Sequence, residues 1–71
     1  MGYVINLTKL LELDIEEGSD YRIHESLNLL SECLDGKYAD SQNYTRINKI
    51  LKKLPEEYEL QKKNIESKMK L

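Results

Sequence analysis

Seventy-one residues make one domain, and a chain this short buries only about 60% of the surface its unfolded form exposes, so a lone core is marginal. One cysteine excludes an internal disulfide, and one histidine beside it cannot complete a zinc cage, so association with another protein or a second copy is the support to expect. The net charge of −2 is unevenly divided: residues 1–36 hold eight acids and two bases (−6), residues 37–71 five acids and nine bases (+4), which suits head-to-tail pairing or a partner that meets one end.

Leucine, isoleucine and lysine dominate, with one valine and no phenylalanine or tryptophan. This is helix-forming composition with little to build a sheet from, and an all-α fold is expected. A strand at GYVINL would have nothing to pair with. The opening residues lack a basic start and soon run into acids, so no secretory signal is read there. No apolar run is long enough to cross a bilayer. A cytoplasmic, reduced chain is the expectation, and the sequons at Asn6 and Asn43 are then chance matches.

The first helix is predicted over about 6–17, capped by Asn6, with Leu7, Leu10, Leu11 and Ile15 inward and Gly18 closing it. A second follows over 20–35, opened by Ser19 or Asp20. Its stripe of Ile23, Leu27, Leu30 and Leu34 is flanked by Cys33, and Gly36 ends it. After GKYA, Asp40 or Ser41 caps a third helix over 41–54 with Tyr44, Ile47, Ile50, Leu51 and Leu54 inward. Pro55 costs about 3 kcal/mol inside a helix but almost nothing at the first position of a new one. A break or sharp kink is therefore expected near Leu54, with a fourth segment over 55–69. There Tyr58, Ile65 and Met69 keep the register, while Gln61 and Lys68 occupy what a heptad would make seam positions. The architecture to expect is a small three- to four-helix bundle.

Little in the chain points to catalysis or metal. His24-Glu25 opens like a zinc-protease motif, but the second histidine is missing. His24 and Cys33 fall on opposite sides of one helix, and three scattered glycines cannot form a phosphate loop. Asp14, Glu16, Asp20 and Glu25 have the spacing of a calcium loop, yet Ser19 stands where that loop needs glycine and Gly18 where it needs an oxygen ligand. The stretch reads instead as a solvated acidic turn, a negative patch for a basic partner. No enzyme, cofactor or metal site is expected.

Two binding readings remain. The preferred one is a noncatalytic module that regulates or inhibits a larger macromolecule by protein–protein contact, as a homodimer. Leu13, Leu29, Tyr38, Leu60 and Leu71 do not fit the inner faces. Leu60 and Leu71 share the back of the last helix, where Lys62, Lys63, Lys68 and Lys70 would rim a contact surface and steer an acidic partner. The alternative is a helix-turn-helix DNA-binding regulator. Ser41, Gln42, Asn43, Thr45 and Arg46 would reach base edges from the start of the third helix, with Lys49, Lys52 and Lys53 on phosphates. Against it stand the long connection GKYAD, Glu32 where the turn favours alanine, and the net acidity of the chain.

Overall fold

The computed structural model describes residues 3–35 and 41–69. Helix α1 runs Tyr3–Glu17, α2 Asp20–Asp35, α3 Ser41–Leu51 and α4 Glu59–Met69, with a single 3-10 turn, Glu56–Tyr58, leading into α4. No strand occurs among the described residues, and the fold is the all-α small bundle that composition and periodicity imply. Leu71, Tyr38, Lys70 and the Asp40 cap lie outside the described residues, and so do the side chains of Ser41 and Gln42.

α1 starts three residues ahead of the Asn6 cap, and Asn6 is exposed on its surface. The reason is packing. With Val4 helical, Val4, Leu7 and Leu11 line up with Thr8 on a buried face, which outweighs the local preference of Asn6 for a cap. The inner face is rotated accordingly: Leu10, expected inside, is 55% exposed, and Ile15 is only partly buried. Buried Thr8 satisfies its hydroxyl by donating to the Ile5 carbonyl at 2.8 Å.

α1 ends on a Schellman cap. Gly18 is left-handed (φ 71°), its N–H donates to the Asp14 and Ile15 carbonyls (2.9 and 3.2 Å), and the Ser19 N–H donates to Asp14 (3.2 Å). The chain reverses within Gly18 and Ser19, so α1 and α2 pack as an antiparallel hairpin. α2 buries Ile23, Ser26, Leu27, Leu30 and Cys33, and α3 buries Ile47, Ile50 and Leu51.

The break before α4 begins ahead of the proline. A residue preceding proline is pushed out of the α region, so Leu54 cannot continue α3. The last turn tightens instead, with Lys53 N–H on the Ile50 carbonyl (3.0 Å) and Leu54 N–H on Leu51 (3.2 Å). Pro55, extended at φ −60° and ψ 159°, caps the 3-10 turn and accepts the Tyr58 N–H at 3.1 Å. Leu54 stays packed against the core although it is outside the helix.

Each helix has two neighbours. α1 lies against α2 and α3, and α4 lies against α2 and α3, so α1 and α4 occupy one diagonal and α2 and α3 the other. The molecule is 18 Å through its thinnest direction, the thickness of two helix layers. One layer is the α1–α2 hairpin and the other is α3 with α4. Between them Leu11, Leu30, Ile47 and Leu51 are fully covered, and Tyr58, Ile65 and Met69 close the far side. All four helices contribute to this one apolar cluster, so the interior is closed by the chain itself.

Candidate protein-interaction surface

The contact surface expected on the last helix is not brought together among the described residues. Leu60 is strongly exposed (79%) beside Gln61, Lys63, Asn64 and Ser67, but no other large exposed apolar side chain stands near it. Lys63 is exposed and Lys62 half-buried. Lys68 is engaged inward: its Nζ donates to Ser31 Oγ and to Asp35 Oδ2, both at 2.7 Å, so it joins α4 to α2 and does not stand on a free rim. Leu71 lies outside the described residues. The seam position that Lys68 occupies faces acidic α2, which makes a cation welcome there.

The larger apolar surface is on the α1–α2 hairpin. Tyr3, Leu10, Leu13 and Tyr21 are each more than half exposed. Two shallow grooves run between the helices. In one, Leu7, Leu10 and Asp14 of α1 face Tyr21, Glu25 and Leu29 of α2; in the other, Tyr3 faces Leu29, Glu32 and Cys33. Each measures about 380 Å3, and Leu29 borders both, so they form one apolar strip. Beneath it Ser26 Oγ donates to the buried Asp14 Oδ2 at 3.1 Å, which satisfies a carboxylate that would otherwise be costly to cover. Burial, helped by Glu32, pushes the Cys33 thiol up, so it packs as a small apolar group with little thiolate character.

Charge is sorted by layer. α1 and α2 carry eight acids against Lys9 and Arg22, a net −6; residues 41–69 carry seven bases against four acids, a net +3. The uneven sequence halves have become two faces. The apolar strip therefore lies in the acidic layer, with Glu25, Glu32 and one cation, Arg22, at its edge; Glu25 accepts the Tyr21 hydroxyl and pushes that phenol up. Arg22 approaches Glu17 at only 3.9 Å, with both side chains mostly in water, and neutralises little of this field.

The residues of the DNA-binding alternative fall elsewhere. Thr45, Arg46 and Lys49 are exposed on α3, and Asn43 is half-buried and engaged. Arg46 and Lys49 join Thr8, Lys9, Glu12, Ile50 and Lys53 along a groove between α1 and α3. A recognition helix is normally braced by the helix before it. Here no Cα of α3 comes within 8 Å of one in α2 among the described residues, and α3 is braced by α1.

The acids with calcium-loop spacing diverge. Asp14 turns to Ser26, Asp20 accepts the Tyr58 hydroxyl, and Glu25 accepts the Tyr21 hydroxyl. The stretch is a helix end, a two-residue turn and a helix start. His24 sits on the outer side of α2 with its ring 5.1 Å from that of Tyr58 and its Nδ1 3.5 Å from Gln61 Nε2, whereas Cys33 is buried. No helix among the described residues is long and apolar enough to cross a membrane. Comparison with family models, with curated proteins and with solved structures gives no match to this chain.

Proposed function

We propose that this chain is a noncatalytic protein-interaction module of the cytoplasm that regulates or inhibits a larger macromolecule, and that it binds through the α1–α2 face. The observation that carries the reading is the strip in which exposed Tyr3, Leu10 and Tyr21 flank the partly buried Leu29, in a bundle whose four helices have already closed their own core. Scattered exposed leucines carry no meaning, but a joined strip along one helix pair is the form of a groove that takes an amphipathic helix. The acidic setting selects the occupant: a helix or extended segment with an apolar stripe flanked by lysine and arginine.

This reverses the polarity expected of the partner from the last helix. It also bears on the homodimer. Symmetric self-pairing through this face would set two layers of net −6 against each other, so the face fits a different, basic chain better than it fits itself. Exposed Thr45, Arg46 and Lys49 on α3 favour nucleic acid as a second reading, and the absence of α2 bracing weighs against the helix-turn-helix form of it.

Capture from the native host with three baits tests the proposal. The unaltered chain and Leu60→Ser should retain the same partner, and the double substitution Leu10→Ser, Tyr21→Ser should lose it. Loss with Leu60→Ser alone would move the site to α4 and defeat the reading. Sedimentation across dilution, run alongside, tests for the dimer.

A further inference from the structure

The groove between α1 and α3 lies on a different edge of α1 from the apolar strip. Its walls carry Lys9 from α1 and Arg46, Lys49 and Lys53 from α3 and the turn after it. Arg46 and Lys49, three residues apart, share one side of α3, and Lys53 in the turn after it lines the same groove. Glu12 is the one acid in the lining, and Lys53 Nζ donates to its Oε2 at 2.7 Å. That bond and the Lys53 charge, with Arg46 nearby, hold the Glu12 carboxyl below its usual range. Among the described residues, Lys9, Arg46 and Lys49 make no hydrogen bond or ion pair. Three cations are thus left over around a recess of about 370 Å3. Thr8 at the floor spends its hydroxyl on the Ile5 carbonyl, and Ile50 beside it is apolar, so the recess offers an anion charge and donors but almost no competing acceptor.

We infer that this groove is a binding site for an oligophosphate, a short chain of linked phosphates such as a tripolyphosphate or the phosphate tail of a nucleoside triphosphate. Charge count and size both point there. Four cations less Glu12 leave +3, and a linked triphosphate concentrates that much negative charge into a length that Lys9, Arg46 and Lys49 can meet from the two walls of the recess. A peptide of glutamates spreads its carboxylates to both sides of an extended backbone and would meet only some of these cations. A duplex is read by an element that projects into its groove, not by a recess between two helices, and no aromatic side chain lines this one for base stacking.

The test is calorimetric titration of the full chain with inorganic tripolyphosphate, ATP, orthophosphate, sulfate and a short DNA duplex at about 0.15 M salt, where long-range attraction is screened. Tripolyphosphate or ATP should bind at least about tenfold more tightly than orthophosphate and sulfate. Equal binding of the first two assigns recognition to the phosphate chain alone; tighter binding of ATP adds a contact to the nucleoside. Arg46→Gln with Lys49→Gln should weaken binding about tenfold or more, and Lys62→Gln with Lys63→Gln, equally charged losses elsewhere, should change it less than about twofold. Circular dichroism of both variants establishes that the bundle is intact. No binding, equal binding of all the anions, equal loss in both variants, or binding of the duplex without tripolyphosphate would overturn the inference. Each of these results leaves the α1–α2 face untouched, so the two readings fail separately.

Discussion

At the scale of single residues, the junction of α2 with the turn into α4 is one of two places, with the Asp14–Ser26 pair, where polar groups bond inside the bundle. Tyr58 is 1% exposed and donates its hydroxyl hydrogen to Asp20. That bond, burial and the Asp20 charge push the phenol from its usual 10 up to about 12. A raised value means the neutral phenol supports the fold fully below pH 10 and ceases to do so as pH climbs through 12. Chemical denaturation across that window should show the native chain losing stability more steeply than Tyr58→Phe, with tyrosinate absorbance losing a late-titrating phenol in that variant; coincident curves would refute the assignment. Gln61, one turn on, occupies a seam position with its Oε1 buried and unpartnered while its Nε2 reaches His24 Nδ1 only at 3.5 Å. A buried unsatisfied acceptor costs about 1–3 kcal/mol, more than so long a bond returns. Gln61→Leu should therefore stabilise the bundle by about 1 kcal/mol, seen as a melting rise of about 4–8 °C. An unchanged or lower melting temperature would show that the amide has a partner.

At the scale of elements, what was legible in the sequence is what periodicity controls. α2 shows its stripe at spacings of four, three and four, and Ile23, Leu27 and Leu30 are buried as that stripe requires. The Gly18 stop is equally plain, because a left-handed residue at a helix end is a local demand that glycine meets cheaply. α1 was harder to read. Apolar residues occur nearly all round it, so Leu7, Leu10, Leu11 and Leu13 alone do not say which two or three face inward; only the α2 and α3 neighbours decide, and they exposed Leu10 and Leu13. That same ambiguity hid the candidate site, since a strip joining Tyr3 and Leu10 to Tyr21 and Leu29 crosses two helices and has no signature in either one alone. α4 is harder to read for a different reason. Its apolar contribution to the core is small, and much of its attachment is polar, through Tyr58 and Lys68 onto α2. Lys68→Ala should therefore cost about 0.5–1 kcal/mol, several-fold more than Lys63→Ala, because Lys68 loses two short bonds where Lys63 loses solvent. Equal effects in urea denaturation would place Lys68 back on a free rim.

At the scale of the whole molecule, the organising feature is the sorting of charge between two layers. Opposite signs meet where the layers pack, as in Lys53 with Glu12 and Lys68 with Asp35, so the split steadies the fold as well as dividing the surface. Outward, it leaves an acidic face with an apolar strip and a separate basic groove on the α3 side. A −6 layer draws basic ligands and repels acidic ones, and this preference should fade as salt rises. The strip on α1 and α2 is the proposed docking face, with its charge selecting a basic partner. Titration of the isotope-labelled chain with a helical peptide bearing an apolar stripe and lysine flanks, and with the same peptide bearing glutamates, tests it by amide chemical shifts. The lysine peptide should perturb Tyr3, Leu10, Tyr21 and Leu29, weaken with added salt and leave Leu60 unmoved, while the glutamate peptide should do nothing there. Perturbation centred on Leu60 and Lys63, or equal response to both peptides, would contradict it.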